Sequence, residues 1–317
     1  MKYNFKKIHI TPNDYLIRIN ECYDGKHNHI DYFIEPYGPY QTNEMSDTIY
    51  EDADALIGYH EHTKGVETFI VDEGRVEVIS CGMRAIAEKG DMVQVQTNMP
   101  HSFHWIDENT LWREMYQETQ MNEDMMALWR HREFHMDTFD EKMNGIGNES
   151  YWAGYKPETT LISKYVHPLI RPYHEGIQKF RWPGCEVILK VGRWETKNVK
   201  EIWEIDMEKG FRLSWNEMNP YYNLFIVQEG PVEVRLDGEG TFTANTRDIL
   251  HIPNHIAGEI TAKEGNAVLF DYNCEGYLYR AMEELFAISV QNPNLLSEKA
   301  EDVLQRNRCF IRGTFVK

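Results

Sequence analysis

Residues 58–74 read GYHEHTKGVETFIVDEG, and the placement of two histidines, one glutamate and the flanking glycines within them decides how the rest of the chain is read. His60 and His62 are separated by one residue, so in an extended strand, where side chains alternate faces, both imidazoles point the same way. A chain reversal at Lys64-Gly65 would let Glu67 open the next strand, with Phe69 and Val71 on its own face, and meet those imidazoles across the ladder. Two imidazoles and a carboxylate converging on one point make a site for a divalent metal.

A third imidazole is available downstream. Residues 90–105, GDMVQVQTNMPHSFHW, contain a Gly-Asp turn, a strand alternating Val93 and Val95, a second turn at Asn98-Met99-Pro100, and then His101. The two stretches together, G-x-H-x-H-x4-E-x6-G and then G-x10-H, resemble the paired motifs of the cupin superfamily. The resemblance implies a small antiparallel β-barrel, and carried over residue by residue it implies His60, His62, Glu67 and His101 as ligands of one divalent transition metal, Fe, Mn, Ni, Cu or Zn. The first motif matches without a gap, whereas the second has Gln96 where the family usually has Pro and Trp105 where it usually has Asn. His104 has the opposite parity to His101 and is expected to face outward.

The second half of the chain repeats the first. Phe225-Ile-Val-Gln-Glu-Gly-Pro-Val-Glu-Val copies Phe69-Ile-Val-Asp-Glu-Gly-Arg-Val-Glu-Val with only two differences, so a second copy of the same barrel is expected and the chain resembles a bicupin. At that offset the metal chemistry is missing. Asn216 stands for His60, Met218 for His62 and Asn223 for Glu67, while Gly258 takes the place of the downstream histidine. An amide, a thioether and a glycine do not replace imidazoles and a carboxylate around such a cation, and His251 or His255 alone does not make a site. The second barrel is therefore expected to serve as scaffold, with a metal-free binding cavity as the alternative.

Working outward, the expected fold class is all-β, two tandem double-stranded β-helix (jelly-roll) barrels with a few peripheral helices. The expected domains are an N-terminal barrel over 1–121, a helical and loop connector over 122–180, and a degenerate C-terminal barrel over 181–317. Tyr15-Leu-Ile-Arg-Ile and Ile30-Asp-Tyr-Phe-Ile read as outer strands leading into the first barrel. Residues 122–135, NEDMMALWRHREFH, read as a capped helix on which His131 and His135 share a face without the glutamate that a helical zinc motif needs. Residues 279–286 and 297–304 have helical spacing and are expected to cover a barrel.

Composition limits the partners. The 317 residues carry a net charge of −18, which repels nucleic acid and anionic membrane surfaces, since both are bound through clustered Lys and Arg. Five cysteines without a C-x-x-C pair indicate neither a disulfide framework nor a zinc ribbon and suit a reducing compartment. The amino-terminal residues MKYNFKKIHITPNDY lack an apolar core of signal-peptide length, and no apolar run reaches bilayer length, so a cytoplasmic protein is expected. Cupin barrels commonly pair, and matching edge strands make a homodimer the expected assembly.

On function, the resemblance implies a metalloenzyme acting on a small oxygenated organic molecule. The same ligand set serves oxidases, decarboxylases, dioxygenases, lyases and isomerases, so fold and ligands do not choose the reaction. Dioxygenase chemistry is the expected class, with Glu67 as the residue able to move a proton, and with decarboxylase, lyase, isomerase and non-catalytic binding or sensing as alternatives. By strand alternation Phe69, Phe103 and Trp105 are expected to line the substrate pocket. Lys64, in the loop between His62 and Glu67, is expected to be solvated.

Overall fold

The computed structural model describes residues 4–11, 13–34, 43–62, 65–117, 149–151, 157–198, 200–220, 222–273, 276–309 and 312–313. The expected helix over 122–135, with His131 and His135, and the loop residue Lys64 lie outside the described residues. The chain is all-β, with helices at its C-terminal end, and it divides into two compact units, 1–11 with 22–173 and 12–21 with 174–317.

In the first unit Val66–Glu73 is a central strand, hydrogen-bonded to Thr110–Gln117 on one side and Met92–Val95 on the other, and this explains its unbroken burial from Val66 to Asp72. Asn43–Tyr50, His29–Ile34 and Phe5–Ile10 extend that sheet outward. A second sheet runs Leu56–His62, His101–Trp105, Arg75–Ser80, Met83–Glu88. Arg75–Ser80 alternates, with Val76 and Val78 inward and Arg75 and Glu77 outward, as a sheet with one solvated face requires. Phe69, Val71, Val93, Val95 and Trp112 from one sheet pack against Val76, Val78, Ala85, Phe103 and Trp105 from the other, so a single core lies between two facing sheets.

Gly74 joins Val66–Glu73 to Arg75–Ser80. Its φ is +80°, and a Cβ there would lie 2.5 Å from Thr110 Oγ1, so both backbone conformation and space call for the glycine that closes the first motif.

The second unit repeats this plan. Asn223–Glu229 lies between Ala267–Asn273 and Ile249–Ile252, and a facing sheet runs Gly240–Ala244, Val232–Leu236, Gly258–Thr261, Arg212–Trp215. The helices Leu278–Gln291 and Leu296–Arg306 place Leu278, Ala281, Met282, Leu285, Ala300, Val303 and Leu304 in the same core as the strands, so they cover the barrel as expected.

The N-terminal pieces and the connector differ from the sequence expectation. Leu16–Ile17 pairs with Ile249–Ile252 of the second unit instead of leading into the first. Within the expected connector, Glu149–Tyr151 pairs with Leu56–His62, Thr160–Leu161 with Met83–Glu88, and Ile170–Arg171 with Met92–Val95, all in the first unit. These strands are two or three residues long, and what holds them is the open edge of a longer strand rather than their own side-chain pattern.

Candidate metal centre

His60 and His62 alternate with Tyr59 and Glu61 along Leu56–His62 and are buried, as the period of two requires. His101 opens His101–Trp105 and is the direct register partner of His60, with the ring centroids 4.2 Å apart. Glu67 comes from the facing sheet. Its Oε2 lies 2.8 Å from His62 Nε2 and 3.4 Å from His101 Nε2. One ligand atom from each of His60, His62, Glu67 and His101 falls within 4.8 Å of all the others, and all four residues are buried.

Hydrogen bonds set the tautomers. His60 Nδ1–H donates to the Gly58 carbonyl at 2.8 Å, and His101 Nδ1–H donates to the Met99 carbonyl at 2.8 Å. Each bond leaves Nε2 as the lone-pair nitrogen turned toward the cluster, which is how carbonyl partners commonly orient metal-binding imidazoles. Burial, reinforced by the neighbouring His101 and His62, holds His60 well below the usual imidazole range, so it stays neutral. Burial pushes the Glu67 carboxyl up, but His62 and His101 outweigh it and keep the carboxyl well below its usual range. Three imidazole nitrogens and one anionic oxygen, desolvated and pre-aimed, fit a divalent transition ion of borderline hardness.

The aromatic residues form a wall behind the cluster. The Phe103 ring lies 5.2 Å from that of His101, Phe69 packs edge-on to Phe103 at 4.9 Å and stacks on Trp112 at 4.8 Å, and Trp105 stacks on Tyr50 at 3.7 Å. Phe103 thus adjoins His101, while Trp105 braces it from behind, 6.3 Å away. His104 faces the other way, with Nε2 3.1 Å from Asp54 Oδ1.

One inward carboxylate was missed in the sequence. Glu114 is the register partner of Phe69 and is buried on the same face as Trp112. The alternation Trp112, Glu114 in Thr110–Gln117 is the signal that could have found it.

In the second unit the counterpart of the His60–His101 pair is Trp215 opposite Gly258. The counterpart of His60 is therefore Trp215, one residue before the Asn216 expected from the repeat offset. A Cβ on Gly258 would lie 2.8 Å from Trp215 Cζ2, so the indole takes the space an imidazole would need. Asn223 does occupy the place of Glu67, paired with Ile252 as Glu67 is with Val95. His255 is exposed and turned to the Glu217 carbonyl.

Residues 50–111, which carry both motifs, match the family model for the Cupin domain. No curated protein matches the sequence. Among solved structures, the chain is similar to oxalate decarboxylase from Bacillus subtilis, at 14% identity over 74% of this chain and 68% of that one, with a TM-score of 0.45. It is also similar to salicylate 1,2-dioxygenase from Pseudaminobacter salicylatoxidans, at 17% identity over 73% of this chain and 70% of that one, with a TM-score of 0.49.

Proposed function

We propose that this two-barrel chain, whose residues 50–111 match the Cupin domain, is a metal-dependent enzyme of the dioxygenase type acting on a small oxygenated organic substrate. One observation carries the reading, the convergence of His60, His62, Glu67 and His101 as buried donors within 4.8 Å of one another. A divalent ion held there supplies Lewis-acid or redox chemistry at positions its protein ligands leave open.

The chain's own residues supply the rest. His60 and His101, fixed by their carbonyl partners, hold the donor geometry through turnover. Glu67, ionised at neutral pH, is a carboxylate of the cluster that on leaving the ion would take a proton from a bound hydroxyl or acid. Phe103, supported by Phe69 and Trp105, excludes water from one side of the site and offers a flat apolar wall to the substrate.

Four free cysteines among the described residues suit a reducing compartment, and we assign the protein to the cytoplasm. Among the described residues no helix is long and apolar enough to cross a membrane. Phe5–Ile10 and Gly240–Ala244 end their sheets among the described residues and carry exposed side chains, and such edges favour a homodimer.

The test is oxygen uptake and product formation over a panel of phenols, diketones and small carboxylic acids, with Fe, Mn, Ni and Cu loaded in turn. Oxygen-dependent turnover of one class supports the proposal. Turnover without oxygen uptake would move the assignment to decarboxylase, lyase or isomerase chemistry. Tight ligand binding without any turnover would make the protein a sensor.

A further inference from the structure

A second set of donors lies in the second unit, away from the counterpart of the first site. Glu204 and Asp206 are two apart in Glu201–Met207 and so share the face turned away from the core that takes Trp203 and Ile205. His174 Nδ1 lies 3.0 Å from Glu204 Oε1 and 2.7 Å from Asp206 Oδ2, and the three donor atoms fall within 4.8 Å of one another. His174 holds a left-handed backbone, φ 57°, and its main-chain N–H donates to Glu204 Oε1 at 2.9 Å.

The set is built into the fold. Glu204 is wholly buried, and its other oxygen accepts from the buried Lys190 Nζ at 2.7 Å, while Lys190 also donates to the Glu175 carbonyl at 2.7 Å. Asp206 Oδ1 is shielded from solvent and has no hydrogen-bond partner. His174 and Asp206 line a cavity of about 490 Å³ whose wall also carries Glu186, Glu208, Glu229 and Arg181.

We propose that His174, Glu204 and Asp206 form a second divalent-cation site, with its open coordination positions facing this cavity. Lys190 lies against the oxygen of Glu204 turned away from His174, which leaves Glu204 Oε1 and Asp206 Oδ2 directed at the same imidazole nitrogen, where a cation would attract both carboxylates. Donor-to-donor spacings near 3 Å are the edges of a polyhedron around an ion with bonds of about 2.0–2.2 Å. One imidazole nitrogen and two carboxylate oxygens suit Zn²⁺, Mn²⁺ or Co²⁺. The acidic cavity wall concentrates cations at the entrance.

The competing arrangement has protonated His174 itself as the charge between the carboxylates, with no ion bound. Chelator-stripped full-length chain is titrated with Zn²⁺ and with Mn²⁺ by calorimetry, in the wild type and in a Glu67→Gln/His101→Gln background that disables the first site. The background is expected to keep one equivalent of bound ion. Adding either His174→Gln or Asp206→Asn, both at solvent-accessible side chains, should weaken that equivalent at least tenfold with the circular dichroism unchanged. A folded background that binds nothing, or an equivalent that survives both variants undiminished, overturns the proposal. Loss of binding between wild type and background reports separately on the first site.

Discussion

His60 and His101 are register partners on adjacent antiparallel strands, and each is turned by the carbonyl two residues before it, Gly58 for one and Met99 for the other. The shared i to i−2 bond means that strand geometry orients both rings before any ion arrives. The orientation of both imidazoles is thus a backbone property, and it depends on the turns that set the register.

The turn at Gly74 is the most exposed to test. With φ at +80° and Thr110 Oγ1 2.5 Å from where a Cβ would stand, Gly74→Ala combines an unfavourable backbone with a clash. The left-handed conformation alone costs about 1–2 kcal/mol. Urea denaturation should show at least that loss, whereas an unchanged midpoint would mean that the turn relaxes freely.

A buried ion network braces the outer face of the same sheet. Arg113, fully buried, donates from Nη2 to Asp72 Oδ2 at 2.9 Å, and its Nε lies 3.4 Å from Asp47 Oδ1. Burial disfavours the guanidinium charge, but Asp47 and Asp72 more than offset that and keep it protonated. Arg113→Met should cost about 3–5 kcal/mol, because it removes the guanidinium charge from beside two buried carboxylates. The triple variant Arg113→Met, Asp47→Asn, Asp72→Asn should recover much of the loss. Equal destabilisation of both proteins would show that packing, not charge, dominates.

The second unit carries an acid in its interior. Asp271 is the register partner of both Trp203 and Phe225, is 1% exposed, and its Oδ2 has no hydrogen-bond partner. Burial, with the nearby Glu201 adding to it, raises its carboxyl from 3.8 to about 8. The folded chain keeps a proton there that the unfolded chain sheds. Its contribution to stability is complete below 3.8 and is lost as pH rises toward 8. Relative to Asp271→Asn, the wild type should therefore be less stable at pH 9 than at pH 5. Thermal melts of both proteins at the two pH values measure this, and an equal offset at both contradicts it.

Part of the first barrel's donor cluster was legible from spacing, while Glu67 and His101 joined it through the resemblance of the two motifs to the cupin pattern. A one-residue gap fixes His60 and His62 on one face, and the repeat of Phe225–Val234 announces a second barrel. The counterpart of His60 was not legible, because the loop between Trp215 and Asn223 differs by one residue from that between His60 and Glu67, and only strand register reveals the shift to Trp215. Leu16–Ile17 was legible as a strand but not in its partner, and Ile170–Arg171 was not legible at all: two residues have no periodicity, and their pairing comes from the strand edge they meet. Glu114 was hidden by its company, a charged residue between Arg113 and Met115 whose inward direction shows only through its pairing with Phe69.

Metal content of the purified, dialysed chain tests the central claim most directly, read by elemental analysis beside the His62→Ala/His101→Ala variant. The wild type should retain a tightly held transition-metal equivalent that this folded variant lacks. Equal metal in the two proteins, or none in a wild type offered Fe, Mn, Ni, Cu and Zn, would contradict a metal centre at His60, His62, Glu67 and His101.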